Sequence, residues 1–381
     1  MAQPKDFGFG SEEQMVRDQA RKLLREKAGI ERLRVLAAKD HHAAYEGPEP
    51  PCAWDEALWD EMVALGWTAL WVPESAGGVG MKTVAVTAVA EEIGRAAAPS
   101  PLPATLQATA VLRCAPEESA KPWLEQIAGG TAATLAVAGR SASWEPGETD
   151  VTVAEDGTLS GTACFVQDAR KAGLFVVTAR DASGGVGLYA VPAGTNGVTV
   201  VPDRIVDLTR DQAHVTFAKV TPAGTIAAPG AGAKALADAE ASILVLVAAD
   251  LSGAAEWALQ TTAEYARVRT QFEHPIGFFQ AVKHPIVNMM LAVDRARSVL
   301  WTAACALDTD PASALRVARM AKSAAADAAA FCADRSVQLH GGIGFTWECD
   351  VHIWFKRLRH GQFLWGDGLV QRQKIAAALA A

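Results

Sequence analysis

The chain lacks any close pair of cysteines: its six, Cys52, Cys114, Cys164, Cys305, Cys332 and Cys349, fall far apart with no C-x-x-C. That spacing argues against a disulfide scaffold or a zinc module and predicts reduced thiols in a cytoplasmic protein. Positive charge is also short, with 35 Lys and Arg against 43 Asp and Glu and a net charge of −8. No nucleic-acid partner is expected, because a phosphate backbone needs a basic field over a large face. Long apolar runs are missing: near the middle the longest is Ile243 to Ala249, where a spanning helix needs about 20 residues. No membrane span is expected. The segment Met1 to Phe9 has neither the apolar core nor the cleavage site of a secretory leader, so export is not expected. No fixed-period repeat is visible, and the alanine tract Ala324 to Ala330 reads as tightly packed helix.

What is present is a chain of 381 residues, half of them apolar, long enough for two or three folding units around a sizeable core. Its texture divides into three blocks. Residues 1–128 carry helical spacing, opening at Ser11, whose hydroxyl is placed to cap the amide of Gln14 while Gln14 reaches back. Further helices are expected at Trp54 to Leu65, Thr83 to Arg95 and Pro103 to Arg113. Residues 129–225 turn to short β-rich runs: Leu135 to Ala138, Val151 to Ala154, Phe175 to Thr178, Val186 to Val191, Val198 to Val201 and His214 to Phe217. They predict a small antiparallel barrel or sandwich. A Gly/Pro/Ala-rich linker, Pro222 to Gly232, passes into the third block, residues 226–381, whose long alanine-rich helices are broken near Pro275, Asp308 to Pro311 and Gly341 to Gly344. The fold class is therefore α+β, mainly α, with segregated blocks that disfavour a Rossmann sheet.

Two segments carry chemistry. In Arg267 to His284, two arginines end a helix, Phe272 follows, and Pro275-Ile276-Gly277 leads into a helix at Gln280. A planar guanidinium meets two phosphate oxygens at once, and an aromatic ring packs on a flat heterocycle. The plain alternative is a basic helix end complementing its own dipole. In Gln338 to Glu348, Gly341, Gly342 and Gly344 allow a ligand close to the backbone, or simply stop the helix. Lys356, Arg357, Arg359 and His360 follow, either as an anion site or as a solvated face. His284 and His340 have no ligand-spaced companion, so no metal site is expected.

With Asp6-Phe7, Glu13-Gln14, Leu65-Gly66-Trp67, Val72-Pro73-Glu74, Gly77-Gly78-Val79-Gly80 and Glu91-Glu92-Ile93-Gly94-Arg95, these segments resemble the acyl-CoA dehydrogenase flavoenzymes over nearly the whole chain. The resemblance implies an N-terminal helical domain, a middle β domain and a C-terminal four-helix bundle, with FAD between the last two. It implies that Arg269, Phe272 and Gln280 reach the FAD of a neighbouring subunit, that Gln338, Gly341 and Gly342 line its ADP portion, and that Phe165 and Gln167 flank the isoalloxazine. Phe165 also reads as an ordinary inward strand residue. The implied partners are an acyl-CoA substrate, an electron-transfer flavoprotein and further subunits of a homo- or hetero-oligomer. The implied reaction takes a proton from the α carbon of the thioester and a hydride from the β carbon, so a carboxylate base is needed.

The match fails at that base. The loop where relatives carry Tyr-Glu-Gly reads Phe363-Leu364-Trp365-Gly366-Asp367-Gly368, leaving Asp367 as the nearest acid. A second family position, on the first bundle helix, holds Ile243 and Leu244, with Glu240 and Asp250 nearby but not in register. A Thr-Glu-Pro-Gly run is replaced by Gly139 to Gly147. These departures resemble the actinobacterial branch that handles steroid or other bulky acyl-CoA chains with two unlike subunits. The expectation is a dehydrogenase with Asp367 as base, or alternatively a catalytically incompetent, FAD-sharing subunit in which Asp367 is a helix cap. An oxygen-using acyl-CoA or nitroalkane oxidase is a third reading.

Overall fold

A computed structural model describes residues 6–37 and 45–380. The first five residues of the segment searched for a leader lie outside these. The described chain opens with helices α1 (Ser11–Lys27), α2 (Ile30–Ala37), α3 (Glu56–Ala64), α4 (Thr83–Ala96), α5 (Leu102–Cys114) and α6 (Glu117–Ala128). The cap of α1 differs from expectation: the Glu13 carboxylate accepts from Gly10 N–H at 2.9 Å, while Gln14 turns to Asp18. A carboxylate makes a charge-assisted bond at the positive helix start, which a Ser11–Gln14 pair cannot match.

Eight strands follow: β1 (Ala133–Ala136), β2 (Thr152–Val153), β3 (Leu159–Gln167), β4 (Leu174–Arg180), β5 (Val186–Pro192), β6 (Val198–Pro202), β7 (Gln212–Val220) and β8 (Gly224–Ala227). They form one sheet in the order β6-β7-β3-β2-β4-β5-β8, with β1 laid against β4. The expected purely antiparallel unit needs correcting, since Ala133 to Ala136 pair in parallel with Leu174 to Val177. The chain between them, which includes β2 and β3, is long enough for the crossover that parallel pairing requires. Two strands are missing from the expected β-rich runs, although Phe165 of β3 reads as a strand residue. β3 holds three small residues that dilute its β signal, and β8 lies inside the presumed linker, where pairing with β5 imposes the extended backbone. The sheet has its own small core, with Phe175, Tyr189 and Phe217 buried among valines and alanines.

The last block is α7 (Ala231–Val268), a short hairpin of β9 (Thr270–Gln271) and β10 (His274–Pro275), α8 (Gln280–Thr309), α9 (Pro311–His340), α10 (Val351–Gly361) and α11 (Gly368–Ala380). Helix α7 is long and apolar enough to cross a membrane by length and composition, but 78% of its most apolar stretch is buried inside the fold. It is the central core helix, packed against α4, α5, α8 and α9. Its crossing with α4 depends on two glycines. A Cβ on Gly253 would stand 1.9 Å from the Glu91 carbonyl oxygen, and one on Gly94 2.0 Å from the Asp250 carbonyl oxygen. Only residues without a side chain permit that approach.

The Glu91-Glu92-Ile93-Gly94-Arg95 stretch ties the N-terminal helices to the bundle by charge. Buried Glu91 accepts from Arg297 at 2.6 and 3.1 Å, Glu92 from Arg21 at 2.7 and 3.1 Å, and Arg95 pairs with Glu256. Burial raises the Glu91 carboxyl above its usual range, and the Arg297 guanidinium opposes that rise.

Candidate active-site groove

A groove runs between the sheet and the bundle. One wall is the loop from Gly139 to Thr149, the other the turn from His360 to Gly366. Within it lie two hollows of about 280 and 270 Å³ that share Ala142, Trp144 and Phe363 as walls. The partition is built from two indoles: Trp144 stacks on Trp365, with ring centroids 4.7 Å apart and planes at 25°. The Trp365 indole N–H donates to Gln107 Oε1 at 2.9 Å, which fixes the ring from the α5 side.

Phe165 reaches the groove through a β-bulge. Pairing of β3 with β7 passes from Ala163↔Val215 to Val166↔Ala213, so Cys164 and Phe165 together face one partner residue. Phe165 has φ +58°, a left-handed conformation that breaks strand alternation and turns its ring toward the 280 Å³ hollow rather than the sheet core. Gln167 is held behind it. Its amide donates to Phe165 O at 3.1 Å and to Gln212 Oε1 at 2.8 Å, while its own Oε1 is buried without a hydrogen bond.

The turn before α11 is gripped from beneath. Lys322, fully buried on α9, donates to Gln362 O and Gly366 O, both at 2.8 Å, and Gln371 Nε2 donates to Trp365 O at 2.6 Å. These bonds hold Trp365 at φ +58°, next to Gly366 at +85°. The same turn decides where its acid goes. Asp367 accepts from Val370 N–H at 2.9 Å and caps α11, and it lines neither hollow of the groove. Where relatives carry their acid, this loop presents Trp365 to the 270 Å³ hollow, beside Phe363.

The remaining expected residues gather at the far end of the bundle. Arg269 follows α7, Phe272 stands at the tip of the β9–β10 hairpin with 84% of its surface exposed, and Gln280 opens α8. Gln338, Gly341 and Gly342 lie where α9 ends, and nothing lies within 4 Å of a Cβ built on either glycine. Tyr265 of α7 stacks on His340 at 4.3 Å, so the two segments meet. His340 itself is a packing residue, its Nδ1 2.7 Å from Ser336 O and its pKa lowered by burial. Phe165 lies in the groove instead, with Gln167 behind it and outside the lining of either hollow.

Sequence reasoning missed the charge cluster behind the groove. Asp250, buried in α7, receives guanidinium groups from both Arg210 and Arg357, and Arg357 also donates to Thr209 at 2.8 Å. Burial alone would raise the Asp250 carboxyl, but the two arginines outweigh it and hold the carboxyl below the ordinary range. The reading of Lys356 to His360 as a solvated face is thus corrected: Arg357 is 1% exposed. The usable signal was a lone acid within the apolar run Ile243 to Leu251, since such a charge must be paired. Trp354 of α10 packs flat on Trp257, with ring centroids 3.5 Å apart, outside the groove.

The groove suits a flat ring with polar edges, given the aromatic walls and the Gln212 and His360 side chains that line the 280 Å³ hollow. The open glycine backbone at the bundle end suits a phosphate-bearing tail. The residues present therefore fit FAD. Comparison with known proteins points the same way. Residues 10–131 match the acyl-CoA dehydrogenase N-terminal domain and residues 245–380 the acyl-CoA dehydrogenase C-terminal domain. The chain is 31% identical to the acyl-CoA dehydrogenase IpdE2 of Mycobacterium tuberculosis over 92% of this chain and 91% of the relative. It superposes on the ChsE4-ChsE5 complex from Mycobacterium tuberculosis with a TM-score of 0.85 and 27% identity, covering 98% and 99% of the two chains. A variant of the Tcur3481-Tcur3483 steroid ACAD gives a TM-score of 0.85 at 27% identity, with 98% of each chain covered. The chain belongs to the acyl-CoA dehydrogenase family, the FAD-dependent oxidoreductases of acyl-CoA thioesters.

Proposed function

We propose that this chain is the FAD-sharing subunit of a heteromeric acyl-CoA dehydrogenase that desaturates bulky, ring-bearing thioesters and passes electrons to an electron-transfer flavoprotein. Two structural neighbours are two-component assemblies by name, and one of them is named a steroid enzyme. One observation carries the reading: the loop that lines the groove offers it an indole, while its acid caps a helix. An indole cannot take a proton from carbon. Glu240 and Glu145 also line the groove, but Glu240 is engaged by Arg319 and Lys374 and Glu145 by Lys374. The base then comes from a companion subunit, and this chain supplies surfaces. Phe165 and Gln167 flank the isoalloxazine, while Arg269, Phe272, Gln280, Gln338, Gly341 and Gly342 reach a dinucleotide shared across the subunit boundary. FAD, when bound, accepts the hydride. A cytoplasmic location belongs to the same proposal.

The test is expression with and without candidate companions, followed by flavin content and turnover of steroid-type and straight-chain acyl-CoA with an artificial acceptor. The proposal expects activity only in the mixed assembly, and unchanged activity there for Asp367→Asn. A chain that turns over acyl-CoA alone and loses that activity in Asp367→Asn has Asp367 as its base, and the shared-subunit reading is then wrong. Peroxide formed without an acceptor would instead mark an oxidase.

A further inference from the structure

We propose that His360 is a cofactor contact whose imidazole hydrogen-bonds the flavin ring of bound FAD. The inference rests on the groove being the flavin site and gives a separate role to a residue that the sequence offered only as part of a basic run.

His360 sits on the last turn of α10 and lines the 280 Å³ hollow beside Phe165 and Leu364. Its Nε2 is buried without a hydrogen bond, and neither ring nitrogen has a partner among the described residues. Buried polar groups are almost always paired, so an orphaned nitrogen on a cavity wall implies a partner that occupies the cavity. Charge narrows what that partner is. Burial first, and then the positive field of Arg210 and Arg357, push the imidazole down to about 4, against the pull of Asp207 and Asp250. At neutral pH His360 therefore carries one N–H and one lone pair but no charge. A neutral imidazole adds no charge for a phosphate, and it shares its hollow with an aromatic ring. Among the described residues no three His, Cys, Asp or Glu side chains gather to hold a metal. A flat heterocycle with carbonyl oxygens, ring nitrogens and an N–H on its edges satisfies a neutral imidazole in either tautomer. The aromatic wall of Phe165 stands in the same hollow.

The experiment uses the assembled protein, co-expressed with its companion and loaded with FAD. Leucine keeps the bulk of histidine and removes both nitrogens. His360→Leu is expected to weaken FAD binding about threefold to tenfold, the loss of one neutral hydrogen bond, and to shift the visible absorption bands of the bound flavin. His360→Gln, which retains a donor and an acceptor, is expected to recover most of both. Histidine labelled with ¹⁵N supplies a reading independent of folding in the leucine variant: the signal absent from His360→Gln should move when FAD is added. The proposal fails if His360→Leu leaves dissociation and spectrum unchanged in loaded protein. It also fails if the ¹⁵N signal ignores FAD and moves only with acyl-CoA. A wild-type assembly that stays colourless and takes up no FAD overturns the groove reading itself, before any variant is made.

Discussion

At the scale of single residues the protein places full charges where its sequence looks most apolar. Asp250 lies in α7 between alanine and leucine, with two guanidinium groups brought to it from the β-domain side and from α10. Removing one partner of such a buried group costs more than the interaction is worth, because the remaining charges stay desolvated. Asp250→Asn is expected to lower the unfolding free energy by about 3–5 kcal/mol, measured by urea denaturation. Replacing Arg210, Asp250 and Arg357 together by apolar residues of similar size should cost far less than the single change. If the single variant is as stable as the parent, the cluster is not the buried pair described. That Asp250 sits on this helix is plain from periodicity. Its role is not, since Arg210 and Arg357 lie 40 and 107 residues away along the chain.

Among the elements, the turn before α11 shows how a helix can hold a loop. Lys322 contributes two hydrogen bonds to carbonyls of that turn, yet burial lowers its pKa from 10.5 to about 7, with Asp367 and Asp327 pulling the other way. The sign of the pH dependence follows. Below about 7 both states carry the proton and the full cost of burying the ammonium is present. Between about 7 and 10.5 only the unfolded chain holds the proton, so stability rises with pH in that window, by up to about 1.4 kcal/mol per unit. Lys322→Met is expected to abolish this rise, read as the difference between wild-type and variant unfolding free energies from pH 7 to 10. Parallel curves would show that Lys322 titrates normally. Here the sequence was partly informative. The break between α9 and the last helix was visible in its glycines, but a lysine among alanines gives no sign of which carbonyls it will grip.

For the whole molecule the question is what the exposed end of the bundle is for. Phe272 is 84% exposed at the tip of a hairpin whose Phe272 and Glu273 both have positive φ, and it packs on no core cluster of its own chain. Phe272→Ala should therefore leave thermal stability of the isolated chain within about 0.5 kcal/mol of the parent, as for surface changes generally. FAD retention in the assembled protein should fall, measured as flavin per subunit after gel filtration. A loss of chain stability with flavin content intact would remove Phe272 from the proposed shared site.

The order of helix, sheet and helix followed from the sequence alone, because hydrophobic period and glycine placement are local properties, and the family followed from the resemblance its motifs carry. Which side chain faces the groove did not. Trp365 and Asp367 are two residues apart in one short loop, and only the grip of Lys322 and Gln371 sends the indole inward and the carboxylate to the helix cap. Pairing of buried charges and of loop carbonyls depends on groups that meet only when the chain is folded, so it is settled by three-dimensional packing.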